Sequence, residues 1–235
     1  MLFRSGVRGW VGVPEPTLDA SVLDAYSLGV LAAQVRPSLP GVQVEGRFDS
    51  DDLRLDASQS GVVEDETYAR ALRVLGAQAQ RLLCGVIARQ EDALARTGEA
   101  LRRPDALARW RTRLEGTAPA APGGILSRFF TARLPPSRSD SELDWCARTT
   151  AWLRHACMKA KPADVVWEAP ILLAGGGAPL SLSRVAALRE RLGFVPVSRE
   201  PGGRGEAVWL ATSRDIEVLT RHFPDSLRMA ELGGP

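Results

Sequence analysis

Apolar and polar positions change period several times along the chain, and each change marks an element. Met1 to Val13 alternates loosely and is closed by Pro14 and Pro16, which predicts an edge strand or an extended arm. Thr17 offers a helix cap. After it Leu18, Val22, Ala25, Tyr26, Gly29 and Ala33 fall on one helical face, and Pro37 stops the run, which predicts a buried amphipathic helix. Val42, Val44 and Phe48 then alternate with polar residues. Leu53 and Leu55 do the same beyond the acidic turn Asp49-Ser50-Asp51-Asp52, so this stretch reads as a β-hairpin. From Glu64 the period lengthens: Leu72, Leu75, Ala79, Leu82, Leu83, Val86 and Ile87 form one broad stripe, with Arg70, Arg73, Arg81 and Arg89 largely off it. A long helix is expected here. Pro104 suits the first turn of another, reaching about Leu114.

The segment 116–124 holds only small residues and prolines and no apolar anchor, so it reads as a linker or exposed loop between a region 1–115 and a region 125–235. Beyond it, Ile125 to Ala132 can form a strand, and Ser139 or Asp140 can cap a helix reaching Met158. Asp164 to Leu173 reads as a strand closed by Gly175-Gly176-Gly177. Ser181 caps a helix with Leu182, Val185, Leu188 and Leu192 on its core side and Gly193 at its end. Phe194 to Glu200 and Glu206 to Ala211 flank a glycine-rich turn and predict a second hairpin, followed by a helix from Thr212 or Ser213 to Pro224. The fold class is therefore α+β: a helix-rich N-terminal region with a β-hairpin, joined to a C-terminal α/β region ending in helix, hairpin, helix.

Composition narrows the class. The 235 residues are 45% hydrophobic, enough for a sizeable core, and carry a net charge of only +2. The distribution of charge is more informative. Pro14 to Tyr68 holds eleven acidic residues and three arginines, whereas Ala69 to Arg113 holds ten arginines and four acids. Lys159 and Lys161 are the only lysines, so nearly every cation is a guanidinium, whose planar fork suits carboxylates and phosphates. Coding bias can account for the richness in arginine. It does not account for the segregation. The three cysteines, Cys84, Cys146 and Cys157, have no CxxC spacing and suggest neither a disulfide framework nor a zinc module. No stretch approaches the roughly 20 apolar residues of a membrane span. A cytoplasmic location without membrane attachment is expected.

The segment Leu182 to Thr212 carries the most specific pattern: a capped helix, a short strand, a Gly-Arg-Gly turn and a returning strand. In order and lengths it resembles the recognition helix and wing of a winged-helix DNA-binding domain of the MarR type. That resemblance implies that Ser183, Arg184, Ala187 and Arg191 form the face entering the major groove, with Arg199 and Arg204 on phosphate or in the minor groove. The same Arg-Leu-Gly-Phe segment is also similar to the end of an acetyltransferase of the GNAT superfamily, although the loop Pro136 to Glu142 lacks the glycines that would hold a pyrophosphate. Pro162 to Pro170 is similar to a central strand of RNase H-like resolvases, with Glu168 as the carboxylate, but no first-strand aspartate accompanies it.

Three functional expectations follow. The first is a non-enzymatic nucleic-acid-associated protein, DNA favoured, that uses Arg81, Arg89 and Arg102 on its long helices together with Ser183, Arg184, Arg191, Arg199 and Arg204. The second is a structural or adaptor protein that assembles with itself or a partner through its segregated charges. The third is a degenerate acyltransferase. None of them assigns a catalytic residue, a metal or a cofactor.

Overall fold

A computed structural model describes residues 2–4, 6–15, 18–39, 41–58, 61–114, 138–200 and 206–230. The described residues form five α-helices and two five-stranded sheets, a mixed α+β architecture. The chain divides into two compact units, Met1–Ala88 with Lys159–Val166 and Arg89–Met158 with Trp167–Pro235. The expected linker 116–124 and the expected strand Ile125 to Ala132 lie outside the described residues, as do Thr17 and Arg204.

The first unit is built on the sheet β1-β2-β5-β3-β4, formed by β1 (Leu2–Arg4), β2 (Arg8–Gly12), β3 (Val22–Ser27), β4 (Val30–Val35) and β5 (Glu45–Asp49). The edge strand expected at the N-terminus is present as β1, paired antiparallel with β2. The helix expected between Leu18 and Pro37 is instead the antiparallel pair β3 and β4. Its helical spacing was coincidental, because the residues that are fully buried, Leu23 and Ala25, follow the alternation of a strand, and Gly29 sits in the turn at φ 78°. The hairpin expected between Val42 and Leu55 is also replaced. Only Glu45–Asp49 is a strand, and it is central, antiparallel to β2 and parallel to β3. Leu55 makes a single bridge to Val62. Val11, Leu23, Val44 and Phe48 are fully buried, each worth about 1.5–3 kcal/mol relative to exposure.

α1 (Glu66–Ala100) is the long helix read from the apolar stripe, running roughly 50 Å at 1.5 Å per residue. Asp65 caps it, its Oδ1 accepting from the amides of Thr67 and Tyr68 at 3.0 and 3.1 Å. Ala71, Leu75, Ala79 and Leu83 are buried in the first unit. Residues from Arg89 onward belong to the second, where Ala93, Leu94 and Leu101 join its core.

That second unit adds α2 (Pro104–Leu114), α3 (Arg138–Cys157), α4 (Leu182–Leu192), α5 (Ser213–His222) and the sheet β10-β8-β9-β6-β7. Its strands are β6 (Pro170–Ala174), β7 (Pro179–Ser181), β8 (Val195–Ser198), β9 (Val208–Trp209) and β10 (Leu227–Met229). α2, α4 and α5 start and stop where the sequence predicts, whereas α3 begins at Arg138, ahead of the expected caps Ser139 and Asp140. Ser181 caps α4, its hydroxyl accepting from the Arg184 amide, and Gly193 ends it in the left-handed region at φ 76°. The strand expected from Asp164 begins as a 3₁₀ turn over Val165–Glu168 and becomes extended only at Pro170.

The C-terminal hairpin is corrected in kind. β8 and β9 lie side by side but run parallel, with Val197 opposite Val208 and Ser198 opposite Trp209. Both are interior strands, because β8 is also paired with β10 and β9 with β6, and Val195, Val208 and Trp209 are buried. An outlying hairpin would keep a free edge in water, and burial of these side chains favours the inner position.

Candidate functional site

Two groups of residues need placing: the arginines expected to meet phosphate, and exposed apolar side chains with no role in a core.

On α4, Arg184, Ala187 and Arg191 do share one exposed face. Both arginines have carboxylate partners in the same unit, Arg184 with Glu91 at 3.6 Å and Arg191 with Glu206. Ser183 is half-buried and donates to Glu168 Oε2 at 2.6 Å. Arg89 stacks on Trp145, its guanidinium carbon 4.9 Å from the ring centroid. Arg102 donates to the carbonyl of Gly176 at 3.0 Å. Gly98 also closely approaches Gly177, so one side of the glycine turn 175–177 is occupied by the protein itself, while Gly176 is exposed. Arg81 and Arg199 are exposed and make no ion pair among the described residues.

The same closure recurs beyond the predicted residues. In the first unit Arg8 meets Asp49 and Asp51 at 3.3 and 2.5 Å, and Arg70 meets Asp52 at 3.2 Å. In the second, Arg96 pairs with Glu142 and Arg113 with Asp144. Between the two stretches Arg70 meets Asp52 and Arg73 meets Glu66, whereas Arg96 and Arg113 of the second unit pair with acids of α3. These exposed pairs are individually weak, about 0–1 kcal/mol. Their consequence is that the paired guanidinium groups are compensated locally.

One arginine is of another kind. Arg154 is buried in the second unit, its Nε and Nη2 donating to the Ile171 carbonyl at 3.0 and 2.8 Å, its Nη1 to Thr212 Oγ1 at 3.2 Å, and its Nη2 paired with Asp215. Asp215 Oδ2 also accepts from the amide and hydroxyl of Thr212 at 2.7 and 2.9 Å. Burial raises the Asp215 carboxyl above its ordinary value, and Arg154 and Thr212 pull against that rise. The network ties α3, β6 and α5 together and has no open side.

The Cys146 and Cys157 thiols are similarly enclosed, whereas Cys84 is exposed. Burial pushes the Cys146 thiol up to about 11 and the Cys157 thiol up to about 12, which keeps both protonated. His222 Nε2 bonds the Cys157 carbonyl at 2.8 Å, and Trp167 stands edge-on to its ring. Burial lowers the basicity of this histidine. Trp110, Trp152 and Trp209 are core residues. No group of three or more His, Cys, Asp or Glu side chains is placed to hold a metal ion among the described residues. Nor is any described helix long and apolar enough to cross a membrane.

The apolar feature is one the helical reading of residues 18–33 concealed. Seven large apolar side chains stand exposed among the described residues, and three of them, Leu28, Val30 and Leu31, fall within four consecutive positions at the tip of the β3–β4 hairpin. Their exposures are 74%, 70% and 55%. β4 is the edge of its sheet. Beside its end a groove of about 480 Å³ is lined by Val35, Arg36, Pro37, Glu64, Tyr68 and Leu72. The sequence did contain a signal: Ala25 to Val35 has no charged residue, and Gly29 interrupts it between β-formers.

No protein-family model matches the chain, and no curated protein matches it in sequence. The functional reading therefore rests on these side chains.

Proposed function

We propose that this chain is a non-enzymatic assembly protein that associates with copies of itself. One observation carries the reading: most of the described arginines expected to meet phosphate are matched by acids or bonded within their own unit, whereas the β3–β4 hairpin presents contiguous apolar side chains that stand exposed among the described residues. Contiguous exposed apolar side chains mark association sites. Exposed ion pairs within one unit mark solvated surface. The assembly expected from sequence was to use segregated charge. The geometry favours apolar contact in its place.

Sedimentation velocity on the full chain over a wide concentration range, at low and high salt, tests the reading. Association that grows with concentration and survives high salt is expected, since apolar contacts are not screened. A monomer throughout overturns it. The nucleic-acid reading retains Arg81 and Arg199 as exposed cations. Titrating the same sample with labelled duplex DNA separates the two, because phosphate contacts must show first at low salt. Duplex binding by a strictly monomeric chain would put the nucleic-acid reading in the place of this one.

A further inference from the structure

Residues 28 and 29 form the whole loop between β3 and β4, since Ser27 is paired with Val30. Both have positive φ, 53° at Leu28 and 78° at Gly29. Such a two-residue turn matches the twist of a hairpin, and its first position favours Asn, Asp or Gly. A leucine there is doubly unfavourable: its Cβ is crowded in the left-handed region, and its side chain gains nothing from the fold because it stands in water. A residue that breaks a local rule without a folded-state gain asks for a contact outside the fold.

The adjoining strand has the same character. β4 reads Val-Leu-Ala-Ala-Gln-Val, with no charge and no proline to blunt its edge. Its only guard is a bulge at Ala32, which divides it into Val30–Leu31 and Ala33–Val35.

Resting on the assembly reading above, we infer that β4 is the self-association surface: two copies pair their β4 edges antiparallel across a two-fold axis near Ala32 and Ala33. The first segment of each strand then lies along the second segment of the other, and Leu28 of each tip reaches past the end of the partner strand. Three features select a second copy as the occupant. An uncharged strand meets itself without like-charge repulsion, which a charged edge would not allow. The antiparallel arrangement brings Arg36, at the end of one β4, beside the tip of the other, where Asp49 accepts from the Gly29 amide at 3.4 Å. Arg36 makes no ion pair among the described residues, so the meeting is complementary on both sides of the axis. A lipid surface fits worse, because residues 9–35 contain no Lys or Arg to meet an anionic headgroup. Two strands of this length bury less than the roughly 1,200 Å² of stable complexes, so the dimer is weak and concentration-dependent.

The test is sedimentation of full-length wild type, Leu28→Asn, Leu31→Lys and, as a control in the other unit, Ile216→Lys, each with a thermal melt. Leu31→Lys is expected to weaken the dimer by about tenfold or more, since it sets a charge in the paired edge. Leu28→Asn should weaken it while leaving the melting temperature of the dilute chain unchanged or higher, because asparagine accepts the turn. A residue kept only for folding would lower it. Ile216→Lys should associate like wild type. Association unaltered in both hairpin variants would overturn this inference and leave self-assembly standing through another face. Recruitment of a monomeric wild type to neutral vesicles, lost in Leu31→Lys, would assign the edge to a bilayer and overturn it together with the assembly reading.

Discussion

In the second unit the guanidinium of Arg154 is buried against Ile171, Thr212 and Asp215, and the amide of Gln90 is buried against Thr149 and Thr150. In the first, Arg8 and Arg70 reach Asp49, Asp51 and Asp52 at the surface, and the interior is almost wholly aliphatic and aromatic. The two units answer the same difficulty, how to hold a sheet and helices in one arrangement, with different chemistry. A buried network that is fully satisfied permits one relative placement of α3, β6 and α5, because any slip leaves a donor or a charge without a partner in a low dielectric. The apolar core of the first unit tolerates small displacements more evenly. Its β4 edge is guarded only by the bulge at Ala32.

Removing the charge partner in the second unit gives the largest expected effect. Arg154→Met leaves Asp215 buried without its cation and the Ile171 carbonyl without its donors, and should cost about 3–5 kcal/mol by urea denaturation followed through tryptophan fluorescence. The loss should shrink as the pH falls from neutral. Without Arg154, desolvation raises the Asp215 carboxyl further above its ordinary 3.8, so the folded state takes up a proton before the unfolded one and acid relieves the penalty. A loss below about 1 kcal/mol, or one that grows as the pH falls, would contradict the claim that this network organises the unit.

The contrast also explains what the sequence disclosed. α1, α2, α4 and α5 were legible from local features: an apolar stripe, Pro104 at a first turn, Ser181 and Gly193 as caps, Thr212 before the last helix. Strand partners were not. Val22, Ala25, Tyr26 and Ala33 fit a helical face, yet they lie in the paired strands β3 and β4 with Gly29 in the turn between them, and only the sheet decided the outcome. β8 and β9 look like a hairpin because they are neighbours in sequence, yet their parallel pairing depends on β10 and β6, which lie elsewhere in the chain. Arg154 looked like any other arginine, since Asp215 is 61 residues away. The exposed tip Leu28 to Leu31 was misread for a different reason. The expected helical face held Leu18, Val22, Ala25, Tyr26, Gly29 and Ala33 and left Leu28, Val30 and Leu31 without a role, whereas here they lie at a turn.

Gln90 sharpens the comparison at a middle scale. Its Nε2 donates to Thr150 Oγ1 at 2.6 Å, and its Oε1 accepts from Thr149 at 2.7 Å, on a side chain with no solvent exposure. Gln90→Leu should cost about 1–3 kcal/mol, because Thr150 is left buried and unpaired. Adding Thr150→Val should return part of that loss, since replacing both partners by apolar groups removes the unmet acceptor. A double variant whose loss equals the sum of the two single losses would show that the contact is incidental.

The smallest effect belongs to the first unit and has the opposite sign. Ser50 is buried directly after β5, and its Oγ has no hydrogen-bond partner among the described residues, although its amide donates to the Tyr26 carbonyl at 3.2 Å. The hydroxyl has lost its water and gained nothing. Ser50→Ala keeps the backbone bond and removes only that oxygen, so it should be neutral or stabilising by up to about 1 kcal/mol in the same urea measurement. A clear loss would mean that the hydroxyl is bonded in solution and that the first unit, like the second, depends on polar contacts in its interior. The difference between the units would then be one of degree.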